Sequence, residues 1–320
     1  MRIRRYKTMI SLAFLSLLFV VGGVALGQGL LAVETEIDRL PADRFDPSLP
    51  PSDLGVGEAG LCRIRHAASH HSTMTLTTTR LSSGYRVELT TERITTTLGL
   101  STQLVIPYHA NSVLIAHEEG HRSIAEALHT TYAEMVAEYA YAAVAGSLLA
   151  VDSSSAAYGE QVLRQRFAAM TGAANRYSLA VLAAVDETFN DMLYHQLLDA
   201  VPVRSSGAVV QVSLGVIDEA CSSDVKSLIE DALWFGCQEA GAPSGTLQIV
   251  RAEEAAVEQV TDRILSAYGQ LATPEARRRA LRLHAALIDS SESDVWRNLL
   301  AKVVLLGVAY QEEMQRIRVG

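Results

Sequence analysis

VLIAHEEGHRSIAEALH, residues 113–129, is the stretch on which the rest of the chain turns. Its apolar residues recur at helical spacing, and Asn111 or Ser112 ahead of it is a side chain able to cap a helix start. The pattern predicts a helix running to about residue 148. Within it stand His117, Glu118, Glu119, Gly120 and His121. Residues four apart on a helix lie one turn apart on one face, so the two imidazoles can grip one ion. Glu118 is offset by about 100° and can reach a water on that ion. This is the HExxH spacing of a metal-bound water with its general base. The competing reading is a solvated helix face that carries charge and has no ligand.

Upstream the character of the sequence changes. STMTLTTTRL and GYRVELTTERITTTL, rich in threonine and broadly alternating, flank a turn signal at SSG, which predicts an antiparallel hairpin. QLVIP reads as a third strand stopped by Pro107. Residues 28–58 hold four prolines with acids and glycines and read as a linker. Before them, Arg2, Arg4, Arg5 and Lys7 precede an apolar run from Met9 to about Leu26, with Ala25 and Gly27 placed for cleavage before Gln28. Residues 1–27 therefore read as a signal peptide or, uncleaved, an N-terminal membrane anchor, and the remainder as periplasmic or secreted.

Downstream the pattern is helical. SSSAAYGEQVLRQRFAAM starts a second helix and NRYSLAVLAAVDETFNDMLYHQLLDA a third, ended by Pro202. After a break, AVVQVSL looks like a short strand, and mostly helical sequence follows to the end. NLLAKVVLLGVAY is too short for a membrane span and contains Lys302, so it reads as a buried core helix. The 320 residues, 49% hydrophobic and 20% charged, suffice for one large domain or two modest ones. A net charge of −9 gives no basic surface for nucleic acid. Three cysteines, Cys62, Cys221 and Cys237, allow one disulfide. One continuous helix between Cys221 and Cys237 would hold them about 24 Å apart, so Cys62 with one of the two is the expected bridge.

A catalytic zinc commonly has three protein ligands and one open position. No third ligand is expected on the first helix: Ala127 stands ten residues after His117, and His129 is turned about 80° from His121, a helix-surface residue on this reading. The third helix carries Glu187, Asp191 and His195, each four apart, as a polar stripe that either faces a metal or faces solvent. His66, His70 and His71 in RHAASHH suggest a second metal, against the reading of exposed polar sequence before a strand. His284 reads as packing or surface.

AHEEGHRSIA with the later FNDMLYHQ resembles the predicted secreted zinc-dependent proteases of bacteria, over about residues 60–198. In that family a histidine six positions after an aromatic residue follows the first motif. Phe189 and His195 match this spacing, so the resemblance implies His195 as third ligand. Asn190 and Gln196 depart from the aspartate and glycine usual there, and Glu187 is the alternative ligand.

The expected fold is α+β. A small antiparallel sheet packs with a zincin-like HExxH helix and a second ligand-bearing helix in a zinc peptidase-like domain over residues 59–200. A mostly helical C-terminal domain of open role and partner spans residues 205–320. The expected activity is an exported zinc-dependent metallopeptidase acting on peptide or protein substrates. One Zn²⁺ would sit on His117, His121 and His195, with Glu118 as general base and Tyr194 as oxyanion donor; Tyr108 and His109 are further candidate donors. Asp191, one turn before His195, would hold that ring's second nitrogen. The alternatives are an idle binding or envelope-structure protein that keeps the fold, and a zinc hydrolase of a non-peptide bond.

Overall fold

The computed structural model describes residues 29–55, 58–201, 205–238, 253–289 and 294–319. The proposed signal or anchor at residues 1–27 lies outside them. The architecture is α+β, with a helical C-terminal half and, among the described residues, five strands: β1 (Leu31–Arg39), β2 (Asp43–Phe45), β3 (Leu61–Leu81), β4 (Gly84–Pro107) and β5 (Leu148–Ser153). The helices are α1 (Ser112–Ala142), α2 (Ala156–Asp186), a π-helical segment (Glu187–Leu193), α3 (Tyr194–Ala200), α4 (Ser206–Ala220), α5 (Ser223–Gln238), α6 (Glu253–Tyr268), α7 (Pro274–Ile288) and α8 (Asp294–Val319).

The predicted hairpin is present and far longer than the sequence suggested. β3 and β4 pair antiparallel from Leu61↔Val105 to Leu81↔Gly84. Gly84 takes φ +148, and a Cβ there would stand 2.5 Å from the Ser153 carbonyl oxygen, so the turn needs glycine. QLVIP is not a separate strand but the end of β4. Gly99 lies mid-strand opposite Ala67 and interrupts no pairing.

The sheet as a whole is mixed, which corrects the expected antiparallel one. β5 pairs antiparallel with residues 85–90 of β4, whereas β1 and β2 pair parallel with residues 94–102 and 105–107. The residues read as a linker therefore hold two strands. LAVETEID alternates like a strand, but the prolines that follow masked it. A bulge at Thr73/Met74 leaves Glu92 unpaired, and inward positions on β4 shift from Val87, Leu89 and Thr91 to Ile94, Thr96 and Leu98. That one-residue insertion keeps the apolar side facing the helices across a 24-residue strand.

α1 and α2, each 31 residues, pack on the inner face of the sheet. Asn111 caps α1, its side-chain oxygen accepting from the Leu114 amide at 2.8 Å. The second and third predicted helices are one: α2 runs unbroken through TGAAN, and Gly172 has only ordinary contacts. AVVQVSL is helical, within α4. Its Val209, Ser213 and Val216 are buried at helical spacing, a period hidden by β-branched valines.

The C-terminal helices do not form a core of their own. One hydrophobic cluster includes Ile124 and Tyr132 of α1, Val181 of α2, Leu233 of α5 and Val304 of α8. α5 and α8 cross at Gly236 and Gly307, where a Cβ on either would lie within 2.8 Å of the other helix's backbone. Tyr310 stacks on Tyr177 at 4.7 Å and donates to the Ala140 carbonyl at the end of α1. α8 contains the stretch expected as a core helix, and among the described residues no helix is long and apolar enough to cross a membrane.

All three cysteines are free, so the expected bridge from Cys62 is absent. Cys62 sits at the start of β3, Cys221 caps α4 beside Thr131, and Cys237 is buried with its thiol on the Tyr177 hydroxyl.

Candidate metal centre

α1 presents His117 and His121 on one face, and α3 brings His195 to them. One ligand nitrogen from each ring lies within 4.8 Å of the other two. The Nε2 atoms of His117 and His121 are 3.2 Å apart. Ligand bonds of 2.0–2.1 Å at tetrahedral angles separate two nitrogens by about 3.3 Å, so this pair already has the spacing an ion requires. His195 stacks against His117 at 5.5 Å and stands edge-on to His121 at 5.0 Å. His121 is buried, His117 half-buried and His195 exposed, which leaves the cluster closed beneath and open on one side. The three histidines can hold a metal ion.

The environment fixes which nitrogen of His121 is free. Its Nδ1 lies 2.7 Å from Asn190 Oδ1, while Asn190 Nδ2 donates to the His121 carbonyl at 3.0 Å and to Asp186 Oδ1 at 3.2 Å. With the amide nitrogen committed to those two acceptors, Oδ1 must accept, so Nδ1 carries the proton and Nε2 keeps its lone pair. Burial, opposed by the Asn190 bond, lowers the His121 pKa to about 4 and favours the neutral ring a metal needs. His117 is lowered as well, first by burial and then by His195. Burial raises Asp186 to about 7.

The helix that delivers Asn190 and His195 is not regular. The Tyr194 amide donates to the Phe189 carbonyl, an i→i+5 bond, and the π segment spans Glu187–Leu193. A π turn places residues five apart on one face, so Asn190 and His195 both meet His121. The stripe expected at Glu187, Asp191 and His195 assumed α spacing and is broken by this turn. Glu187 points away and pairs with Lys302 of α8 at 2.6 Å, which removes it as the alternative ligand. Asp191 is exposed and its charge acts on His195, but no hydrogen bond joins them.

Glu118 is 2% exposed and reaches the start of β3, where a Cβ on Gly60 would meet its Oε1 at 3.2 Å. Burial, then repulsion from Glu58, raises it to about 7. A carboxyl poised near neutrality can take up and release a proton.

Tyr194 does not stand where an oxyanion donor would. It is fully buried, stacked on His117 at 5.5 Å and edge-on to His121 at 4.9 Å, with its hydroxyl directed to the His117 carbonyl at 3.4 Å. A Cβ on residue 120 would lie 2.1 Å from that hydroxyl, so the glycine of the motif makes room for the tyrosine. Tyr108 and His109 are exposed in the turn before α1, and neither contacts the three rings.

The remaining histidines divide by strand parity. His66 and His70 point inward from β3, His66 stacking with His129 of α1 at 6.0 Å and His70 lying 6.3 Å from Tyr141. His71 lies on the other face, so RHAASHH assembles no second cluster. His129 is 1% exposed, contrary to the surface position expected, because α1 turns it under the sheet to the Leu98 carbonyl. His284 is half-buried on α7.

Sequence reasoning missed Asn190 as the partner of His121, together with Asp186, Gly60 and the role of Gly120. Only the asparagine left a signal, five residues before His195. Neither a family model, nor a curated protein, nor a solved structure matches the chain.

Proposed function

We propose that the protein is an exported zinc-dependent metallopeptidase, akin to the bacterial secreted zinc proteases that its HExxH helix resembles. The reading rests on three convergent imidazoles on one side of a buried glutamate whose proton affinity lies near neutrality.

His117, His121 and His195 would hold the ion. Zinc is the natural occupant of a set of neutral imidazoles with one side open, and when bound it supplies Lewis acidity and a water of lowered pKa. Glu118 takes a proton from the attacking water and returns it to the leaving amine. Asn190 and Asp186 hold His121 in the Nε2-accepting tautomer. Tyr194 packs beneath two of the rings and fixes their orientation. With its hydroxyl turned to the His117 carbonyl, Tyr194 is a packing residue on this reading and not the oxyanion donor.

The test is metal analysis of the purified protein together with casein cleavage. One zinc per chain and activity lost in Glu118→Ala with zinc retained support the reading. A chain that neither contains nor takes up zinc overturns it. Zinc without cleavage of casein or peptide libraries, and with no difference between wild type and Glu118→Ala, would favour an idle metal-binding protein.

A further inference from the structure

The fold buries a second pair of imidazoles that the metal centre does not use. His66 of β3 stacks on His129 of α1, with ring planes 27° apart. Both ring nitrogens of His66 and Nδ1 of His129 are buried without a hydrogen-bond partner. Only His129 Nε2 is engaged, at 3.2 Å from the Leu98 carbonyl oxygen. Three unsatisfied nitrogens in one contact are costly, and a position of pure packing would be better served by leucine or phenylalanine.

Among the described residues no counter-charge is paired with either ring. On β4 the neighbouring residues are Leu98 and Leu100. On β3, Arg65 lies on the opposite face and is paired in register with Ser101. On α1 the acids to either side are committed elsewhere, Glu126 to Arg39 of β1 and Glu119 to Arg122. Among the described residues, His129 is the ionisable group that acts on His66.

We propose that His66 and His129 form an acid-sensitive latch between β3 and the metal-bearing helix. Neutral rings keep the strand against α1, and protonation forces two like charges apart in a contact that cannot neutralise them. Burial lowers both rings from their ordinary value, His66 to about 4, so the contact is closed at neutral pH and strained as pH falls toward 4. Among the described residues β3 pairs only with β4, so no ladder holds its other edge. The strand begins beside Gly60, against the Glu118 carboxyl, so its release would loosen one wall of the metal centre. The inference does not depend on the proposed activity.

Hydrogen exchange of backbone amides, corrected for intrinsic rate, tests it between pH 7 and pH 4.5. Amides of residues 63–70 should exchange at least tenfold faster at the lower pH, and His66→Phe should abolish the acceleration. His117→Ala should retain it, which separates the latch from protonation of the metal ligands. Should His66→Phe fail to fold, His129→Gln keeps a donor for the Leu98 carbonyl and removes one charge; its opening should begin at lower pH than in wild type. Equal exchange at both pH values in wild type, or unchanged opening in the variants, would overturn the proposal.

Discussion

Gly120 and Asn190 carry the most specific consequences of single side chains. Gly120→Ala places a methyl group 2.1 Å from the buried Tyr194 hydroxyl, and the tyrosine cannot move without disturbing two histidine rings. Overpacking of this kind costs about 1–3 kcal/mol. Thermal unfolding should show that loss, and Tyr194→Phe in the same chain should recover part of it. Asn190→Leu leaves His121 Nδ1 without an acceptor and Asp186 without its donor. Zinc affinity should fall by about 10- to 100-fold, read by competition with a chelating dye. His195→Ala should weaken zinc more than Glu187→Ala, because Glu187 is held by Lys302 away from the rings. At this scale the sequence was informative where chemistry is local. His117, Glu118 and His121 sit in five residues, and helical geometry alone brings the two rings together. Tyr194 and His129 were misplaced because a residue's depth depends on what packs over it, and neither the sheet strand over His129 nor the helix over Tyr194 is written near those positions.

Among the elements, the π segment decides whether the site exists. It inserts one residue's rotation between α2, which packs on the sheet, and α3, which carries His195. Deleting Met192 should restore α phase, turn His195 by about 100° and separate it from the other rings. Circular dichroism should then be close to that of wild type while zinc affinity collapses. Retention of tight binding in the deletion would show that phase does not matter. Nothing in DETFNDMLYH announces the extra residue, since hydrophobic periodicity over so few positions fits either phase. β4 shows the converse. Its threonines and alternating apolar residues made the hairpin readable, but the strand's full length and its parallel partners were not. Parallel pairing joins segments distant in sequence and leaves no turn signal between them.

For the whole molecule, the helical C-terminal half supports the site from behind. Trp296 of α8 meets Phe189 edge-on at 4.7 Å and donates to Glu219 at 3.0 Å, so the π segment is clasped between α8 and α4. A chain ending at residue 201 should expose this surface and lose its cooperative unfolding transition rather than persist as an independent domain. Buried residues on both sides of the boundary expected near residue 205, Tyr194 and Val209 among them, belong to one hydrophobic cluster. The pH dependence of stability without metal sums opposed contributions. His66 and His121, each lowered from 6.5 to about 4, favour the fold above 6.5, and this contribution disappears as pH falls through 4. Glu118 and Asp186, raised to about 7, act the other way, and their contribution disappears as pH rises through 7. Wild-type stability should therefore change little between pH 4.5 and 6.5. His66→Leu removes one histidine contribution, of up to about 3 kcal/mol, and should make the chain relatively more stable at the acid end, as denaturant titrations at the two pH values would show.

Among the described residues β4 is the strand to which the other four attach. β1 ends at Arg39 and its ladder closes on residues 94–102, so this strand has no partner until synthesis has passed residue 102. At about 5–20 residues per second that interval lasts roughly 3–13 s. During it β1 has no strand to pair with, a state in which a polypeptide can be threaded through a narrow channel or bound by a chaperone before the sheet closes around its central strand.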